Sequence, residues 1–327
     1  MKVWVLTDNK IGSSKQGLAL AELIGYSYER KAISYTTWAK FPNFIPFLDR
    51  LILDKKSRKL LSKKESPDIV IGSGRRLARV SSYLKGKYPK AKFIHILKPD
   101  LPLKTFDAII LPYHDKIRLT PLDNKKKIIR VNGAIVNLNN DEIAEAEKEW
   151  AHTFAHLPKP KIALLIGGSA RGCKMEAKHA LELAQQTIDL AKKLNASILV
   201  SDSRRTDESL SSLIFEEIRN SGIQHFIYSS KSAEKNPYKG FLVCADYIVV
   251  TGDSISMCIE SVYMKKPVII YSPKAMVSKK HWRFIEQLVF DGQVNLLKNL
   301  NVNNIITPSN KDEDLKKKLF KLLGHQV

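Results

Sequence analysis

The sequence predicts an α/β chain of two Rossmann-like domains facing a cleft. Three observations predict it. Short apolar runs alternate with helix-period stretches over most of the chain, the pattern of βαβ units and a mostly parallel sheet. The alternation restarts after a Leu-Pro-Lys-Pro connector at residues 157–160. The length of 327 residues, 44% hydrophobic and 27% charged, suffices for two ordinary cores at about 150 residues per domain.

In the first half, residues 3–6 form a short strand, 7–14 a polar turn, and a helix runs to Ile24 with Leu18, Ala21 and Leu23 along it. Residues 68–71 form a second strand. It opens into Gly72, Ser73 and Gly74 and a helical run to Lys85 carrying Leu77, Val80 and Leu84. Residues 93–97 and 107–111 are further strands, and 128–136 is extended. Residues 141–156 have helical spacing, with Ile143, Ala146, Trp150 and Phe154 roughly on one face. Pro158 and Pro160 stop that helix and stiffen the connector. The domain boundary is expected there, giving domains 1–157 and 158–327.

In the second half, residues 161–166 form a strand and 167–172 a glycine turn. Residues 175–194 form a helix striped with Ala177, Leu181, Ala184, Ile188 and Ala191. Strands follow at 198–200, 226–228, 247–250 and 268–271, with helices between them, and 312–323 is a basic amphipathic helix. In such parallel sheets a ligand sits beyond the carboxyl ends of the strands.

Composition narrows the function classes. No apolar run reaches the roughly 18 to 20 residues that span a bilayer. The N-terminus offers one lysine and about five strand-like residues, too few for a signal peptide, so the expected compartment is cytoplasmic. Cys173, Cys244 and Cys258 lack the spacing of a zinc site or a disulfide framework. The net charge of +21 favours anionic partners: phosphorylated substrates, an anionic membrane surface, or nucleic acid. No nucleic-acid motif accompanies it, and the lysines lie in short runs such as 55–56, 125–127 and 316–318, as a general lysine bias also produces.

Three loops of the second half follow strands and therefore converge on one sheet edge. In IGGSARG at residues 166–172, Gly167 and Gly168 let a backbone approach a phosphate at a helix N-terminus, with Ser169 and Arg171 beside them. The plain alternative is a tight turn without a ligand. In TGDSISMCIE at 251–260, Asp253 or Ser254 is a helix N-cap, Ser254 and Ser256 suit a second phosphate, and Glu260 suits a ribose hydroxyl pair. The alternative is capping alone with Glu260 in solvent. In Ser203, Arg204, Arg205 and Thr206, the paired arginines suit a phosphate or a base edge, unless Thr206 is only a cap.

In the first half, Asp8 directly follows the first strand, where a general base is expected; His114 with Asp115 is the competing pair. The nearest sequence to an Asp-x-Asp metal pair is Asp312, Glu313 and Asp314, at the acidic start of a lysine-rich helix. No metal or cofactor is therefore expected, and leaving-group charge falls to helix dipoles and arginines. The aromatic stretch at 38–48, followed by Lys55, Lys56, Arg58 and Lys59, is either a buried loop or a membrane-surface patch.

Together these segments resemble the Elm-type mitochondrial fission family, whose bacterial members are often labelled nucleoside-diphosphate-sugar epimerases. The matching pieces are Leu6, Thr7 and Asp8 with Gly12 and Gln16; Pro67 and Asp68; Gly74, Arg75 and Arg76; Phe106 and Asp107; Pro112 with His114 and Asp115. They continue with residues 165–168 and 203–206, then Asn236, Pro237 and Tyr238, Ala245 and Asp246, and finally 251–260, where Asp253, Ser254, Ser256, Met257 and Glu260 are most specific. Lys10 departs from the small residue expected before Gly12.

That family resembles GT-B glycosyltransferases, especially the one that adds N-acetylglucosamine to a lipid-linked peptidoglycan precursor. The resemblance implies a nucleotide-diphosphate-sugar site in the second domain and an acceptor site in the first. It implies a metal-independent transferase acting on a membrane-associated glycolipid or envelope saccharide, or else a non-catalytic scaffold or fission adaptor on the same fold. The short-chain epimerase pattern is missing: residues 7–17 lack its glycine turn, and Tyr263 to Lys266 is one residue short of its Tyr-Lys spacing.

Overall fold

The protein is described by a computed structural model covering residues 1–40, 51–62, 65–117, 119, 124–133, 135, 140–168, 173–309 and 312–324. Two compact units divide the chain. The first is Met1–Asn137 with Lys311–Val327, and the second is Leu138–Asn310.

In chain order the first unit comprises β1 (Val3–Thr7), α1 (Ile11–Ile24), β2 (Tyr28–Ala32), α2 (Lys55–Leu60), β3 (Ile69–Ser73), α3 (Arg75–Lys87), β4 (Lys92–Ile96), β5 (Ala108–Pro112) and β6 (Ile128–Val131). The second comprises α4 (Asn140–Trp150), β7 (Lys161–Leu165), α5 (Ala177–Leu194), β8 (Ser197–Ser201), α6 (Glu208–Asn220), β9 (His225–Tyr228), α7 (Tyr238–Cys244), β10 (Tyr247–Thr251), α8 (Ile255–Tyr263), β11 (Val268–Tyr271), α9 (Lys279–Phe290) and β12 (Asn295–Leu296). The last helix, α10 (Asp312–Leu323), returns to the first unit.

The first sheet has the order β2-β1-β3-β4-β5-β6 with every pair parallel. Helices cover both faces, which is why its inner strands are continuous apolar runs. Val3, Val5, Ile69, Ile71 and Ile94 form one core with Leu20 of α1 and Leu319 and Phe320 of α10. Trp4, Leu6, Val70 and Phe93 form the other with Leu77, Val80 and Leu84 of α3. The edge strand β2 has no such run. Its buried Lys31 lays its ammonium over the Trp4 ring, 4.3 Å from the centroid, and pairs with Glu29 at 2.5 Å.

The second sheet has the order β12-β11-β10-β7-β8-β9, again all parallel. From β7 the chain builds β8 and β9 on one side, then begins again with β10 on the other. The topological switch point lies between β7 and β10, the place where open α/β sheets hold ligands. In the first unit the corresponding point lies between β1 and β3.

The two units divide the chain at residues 137 and 138, not at the expected 157 and 158, and α10 joins the first unit. Aromatic packing explains the first difference. Trp150 stacks on Phe154 at 5.7 Å, and Phe154 meets Phe226 and Phe241 at 5.1 and 5.4 Å, so α4 is tied to the second core. The helix expected to reach residue 156 ends at Trp150, and turns carry the chain on. The second difference follows from the apolar face of α10, whose Leu315, Leu319, Phe320 and Leu323 are buried in the first core.

Candidate functional site

The loops flanking the second unit's switch point are bonded to each other. The Gly167 N–H donates to Thr251 Oγ1, at the end of β10, over 2.7 Å. The Thr206 hydroxyl donates to the Gly167 carbonyl at 2.8 Å and accepts from the Ser203 N–H at 2.9 Å. Three strand-end loops therefore meet at one glycine. Thr206 is an anchor for that meeting rather than a helix cap, because Asp207 caps α6 by accepting from the Ser209 N–H at 3.0 Å.

Glycine is required at both positions by packing. A Cβ on Gly167 would overlap the Asp253 carboxylate, and one on Gly168 would overlap the Arg205 backbone. Gly168 thus lies against the turn that carries Arg204 and Arg205, whose side chains are exposed. A narrow cavity of about 10 Å³, room for roughly one water, lies among Gly167, Gly168, Thr206, Asp207, Asp253 and Met276. Ser169 and Arg171 lie outside the described residues.

Asp253 is buried, and neither carboxylate oxygen has a well-formed hydrogen bond among the described residues. Burial pushes its pKa up to about 6, against the opposing pull of the Thr251 hydroxyl and the Arg205 charge. Ser254 occupies the N-cap position of α8, but its side chain makes no capping bond. The first N–H groups of α8 are therefore not taken by that hydroxyl. Ser256 is exposed on the first turn, and Met257 is half-buried beside it.

Glu260 sits nearly two turns into α8. One of its oxygens accepts from the Tyr238 hydroxyl at 2.5 Å, and Asn236 Oδ1 accepts from the Tyr238 N–H at 2.9 Å. Burial first and the Glu260 charge second push the Tyr238 hydroxyl far above its ordinary range, so it stays a donor. Glu260 is held by a tyrosine of α7, not standing in solvent. That partner is 22 residues away in sequence, beyond any local pattern.

In the first unit, Asp8 follows β1 at that unit's switch point. Its Oδ1 accepts from the Lys10 N–H at 2.9 Å and its Oδ2 from the Tyr35 hydroxyl at 3.1 Å. His114 and Asp115 follow β5, with His114 Nε2 at 3.8 Å from Asp115 Oδ1. Arg130 pins this loop by donating to the carbonyls of Pro112 and Asp115 at 3.0 and 2.8 Å. β1 and β5 are three strand spacings apart, about 14 Å, so the two base candidates are separate sites. Tyr35, absent from the sequence-derived candidates, follows β2; recognising β2 as the neighbour of β1 is what places it beside Asp8.

Among the described residues no three His, Cys, Asp or Glu side chains gather as metal ligands, and no helix is long and apolar enough to cross a membrane. Of the acidic triplet at the terminal helix, Asp314 pairs with Lys318 one turn later at 2.5 Å. The aromatic stretch at 38–48 lies largely outside the described residues, apart from an exposed Trp38.

Two parallel α/β units, each with its loops gathered at a switch point, make up the GT-B class of fold. Solved structures agree in fold. The UDP-GlcNAc 2-epimerase of Methanocaldococcus jannaschii has a TM-score of 0.53 at 16% identity, covering 99% of this chain and 92% of that one. That of Neisseria meningitidis, bound to UDP-GlcNAc, has a TM-score of 0.54 at 15% identity, covering 98% and 100%. The chain belongs to the mitochondrial fission ELM1 family, whose model matches residues 11–315. An uncharacterized protein of Rickettsia prowazekii is 32% identical over 317 residues, covering 88% of each chain. The mitochondrial fission protein ELM1 of Arabidopsis thaliana is 28% identical over 227 residues, which is 64% of this chain and 52% of that protein.

Proposed function

We propose that the chain binds a nucleotide-diphosphate sugar at the second unit's switch point and transfers the sugar, without a metal ion, to a hydroxyl acceptor. The observation that carries this reading is the convergence of three strand-end loops on Gly167, beside a helix N-terminus whose N-cap serine leaves the first N–H groups uncapped. In this reading Gly168 and Ser169 with Ser254 and Ser256 meet the diphosphate, and Gly167, its N–H held by Thr251 and its carbonyl by Thr206, fixes the loops around them. Arg204, Arg205 or Arg171 offsets its charge, Ser203 holds the arginine turn, Met257 flanks the site, and Glu260 holds the ribose. That one solved relative of the fold holds UDP-GlcNAc makes uridine nucleotides the first probe.

Asp253 gives the site a pH dependence. Ionised, its carboxylate repels a diphosphate; protonated, it donates a hydrogen bond. Binding therefore tightens as pH falls through about 6. Asp8 is the proposed base toward the acceptor, and His114 with Asp115 the alternative. The acceptor proposed is a membrane-associated glycolipid or envelope saccharide, with the protein on the cytoplasmic side of an anionic surface and no nucleic-acid partner.

The family's fission name favours a second reading, a non-catalytic scaffold or fission adaptor that keeps the fold. Calorimetry with uridine, guanosine, cytidine and adenosine diphosphates and their sugars separates the two. One of these binds the wild type. Ser256→Asp, at an exposed position in the first turn of α8, keeps the fold but places a negative charge against the diphosphate, and loses that binding. Absence of binding across the whole series overturns the transferase reading.

A further inference from the structure

The positive charge of the chain is not shared between its units. The first holds 33 of the 54 Lys and Arg residues against 14 of the 33 Asp and Glu, a net charge of +19. The second holds the remaining 21 against 19, a net of +2. A lysine bias of composition alone would load both units alike. The excess identifies the first unit as the one that faces anions.

That unit also contains a cavity built for one. A cavity of about 590 Å³, within the range of small-molecule sites, opens at the carboxyl ends of β1 and β2. Arg30 and Arg76 line it with Asp8 and Tyr35. Arg30 is oriented by its Nε–H, which donates to the buried Thr7 hydroxyl at 3.1 Å. The Arg76 guanidinium lies 5.5 Å from the Tyr35 ring centroid. Neither guanidinium has a carboxylate partner among the described residues. Two arginine forks outnumber Asp8, the one carboxylate lining the cavity, and suit a phosphate. Asp8 lines the same cavity with its two oxygens already steered by Lys10 and Tyr35, and its remaining lone pairs accept from a hydroxyl.

We propose that this cavity binds a polyol phosphate: a phosphate ester held by Arg30 and Arg76, with a neighbouring hydroxyl directed at Asp8. The proposal rests on the reading of the first unit as the acceptor side, and names the chemical class of that acceptor. The phosphate comes from a soluble ester or from a lipid headgroup.

Calorimetry with sn-glycerol 3-phosphate, and flotation with phosphatidylglycerol against phosphatidylcholine vesicles, test it on the full chain without nucleotide. The wild type binds glycerol 3-phosphate or the phosphatidylglycerol headgroup. Arg30→Gln and Arg76→Gln bind about tenfold or more weakly, as expected for a lost charged hydrogen bond. Loss confined to vesicles assigns the phosphate to a lipid; loss with the soluble ester assigns it to a free substrate. Uridine-diphosphate binding, measured on the same variants, stays at the wild-type value. If both variants bind both probes as the wild type does, or nothing binds either probe, the proposal is overturned. Nucleotide binding then still stands or falls by itself.

Discussion

Replacing Asp253 with asparagine tests the electrostatics of the second switch point. The side chain is buried against Gly167, and burial raises its pKa from the ordinary 3.8 to about 6. Between these values the folded chain keeps a proton that the unfolded chain has released. The group's contribution to stability is therefore least unfavourable at low pH and declines as pH rises through about 6. At neutral pH an ionised Asp253 costs the folded state roughly 3 kcal/mol relative to a neutral isostere. Asp253→Asn keeps the shape and removes the charge. Urea denaturation followed by far-UV circular dichroism at pH 7.5 is expected to show a gain of up to about 3 kcal/mol. The gain shrinks to roughly half a kcal/mol near pH 4, where the wild-type carboxyl is protonated in the folded state. A variant less stable than the wild type at pH 7.5, or a gain that does not change with pH, shows that burial of the Asp253 charge does not cost the fold stability.

Two further outcomes follow from packing and pairing. Leu319→Ala removes a fully buried side chain of α10 and costs the first unit about 2–5 kcal/mol. Hydrogen exchange then accelerates in peptides from 1–137, and acceleration in the second unit instead contradicts the assignment of α10. Tyr238→Phe removes the donor to Glu260 and lowers stability by about 1.5–3 kcal/mol at neutral pH, read from thermal or urea unfolding. Stability equal to the wild type argues that the pair is an incidental contact.

Much of the architecture is legible in the sequence because parallel strands covered on both faces must be apolar throughout. The runs at 247–250 and 268–271 match β10 and β11 to within a residue. β2 is not legible. Its sequence, YERKA, lies at an edge and presents no apolar run, and it becomes a strand by pairing with β1 from Val3–Tyr28 to Thr7–Ala32. Without β2, nothing places Arg30 or Tyr35 beside Asp8. The two-residue β12 is too short for any periodicity. The unit to which α10 belongs was hidden for a different reason: its apolar face shows that it packs, but not on which core. The glycines and serines of the candidate site are visible as turn chemistry. The Asp253 carboxylate filling the space beside Gly167 is visible only when β7 and β10 lie side by side.

Hydrogen exchange with and without a saturating nucleoside diphosphate reports both nucleotide binding and its place. The expected result is protection in peptides covering residues 165–168 and 251–260, with exchange in the first unit unchanged. Protection confined to the first unit, or none at any nucleotide concentration, contradicts it.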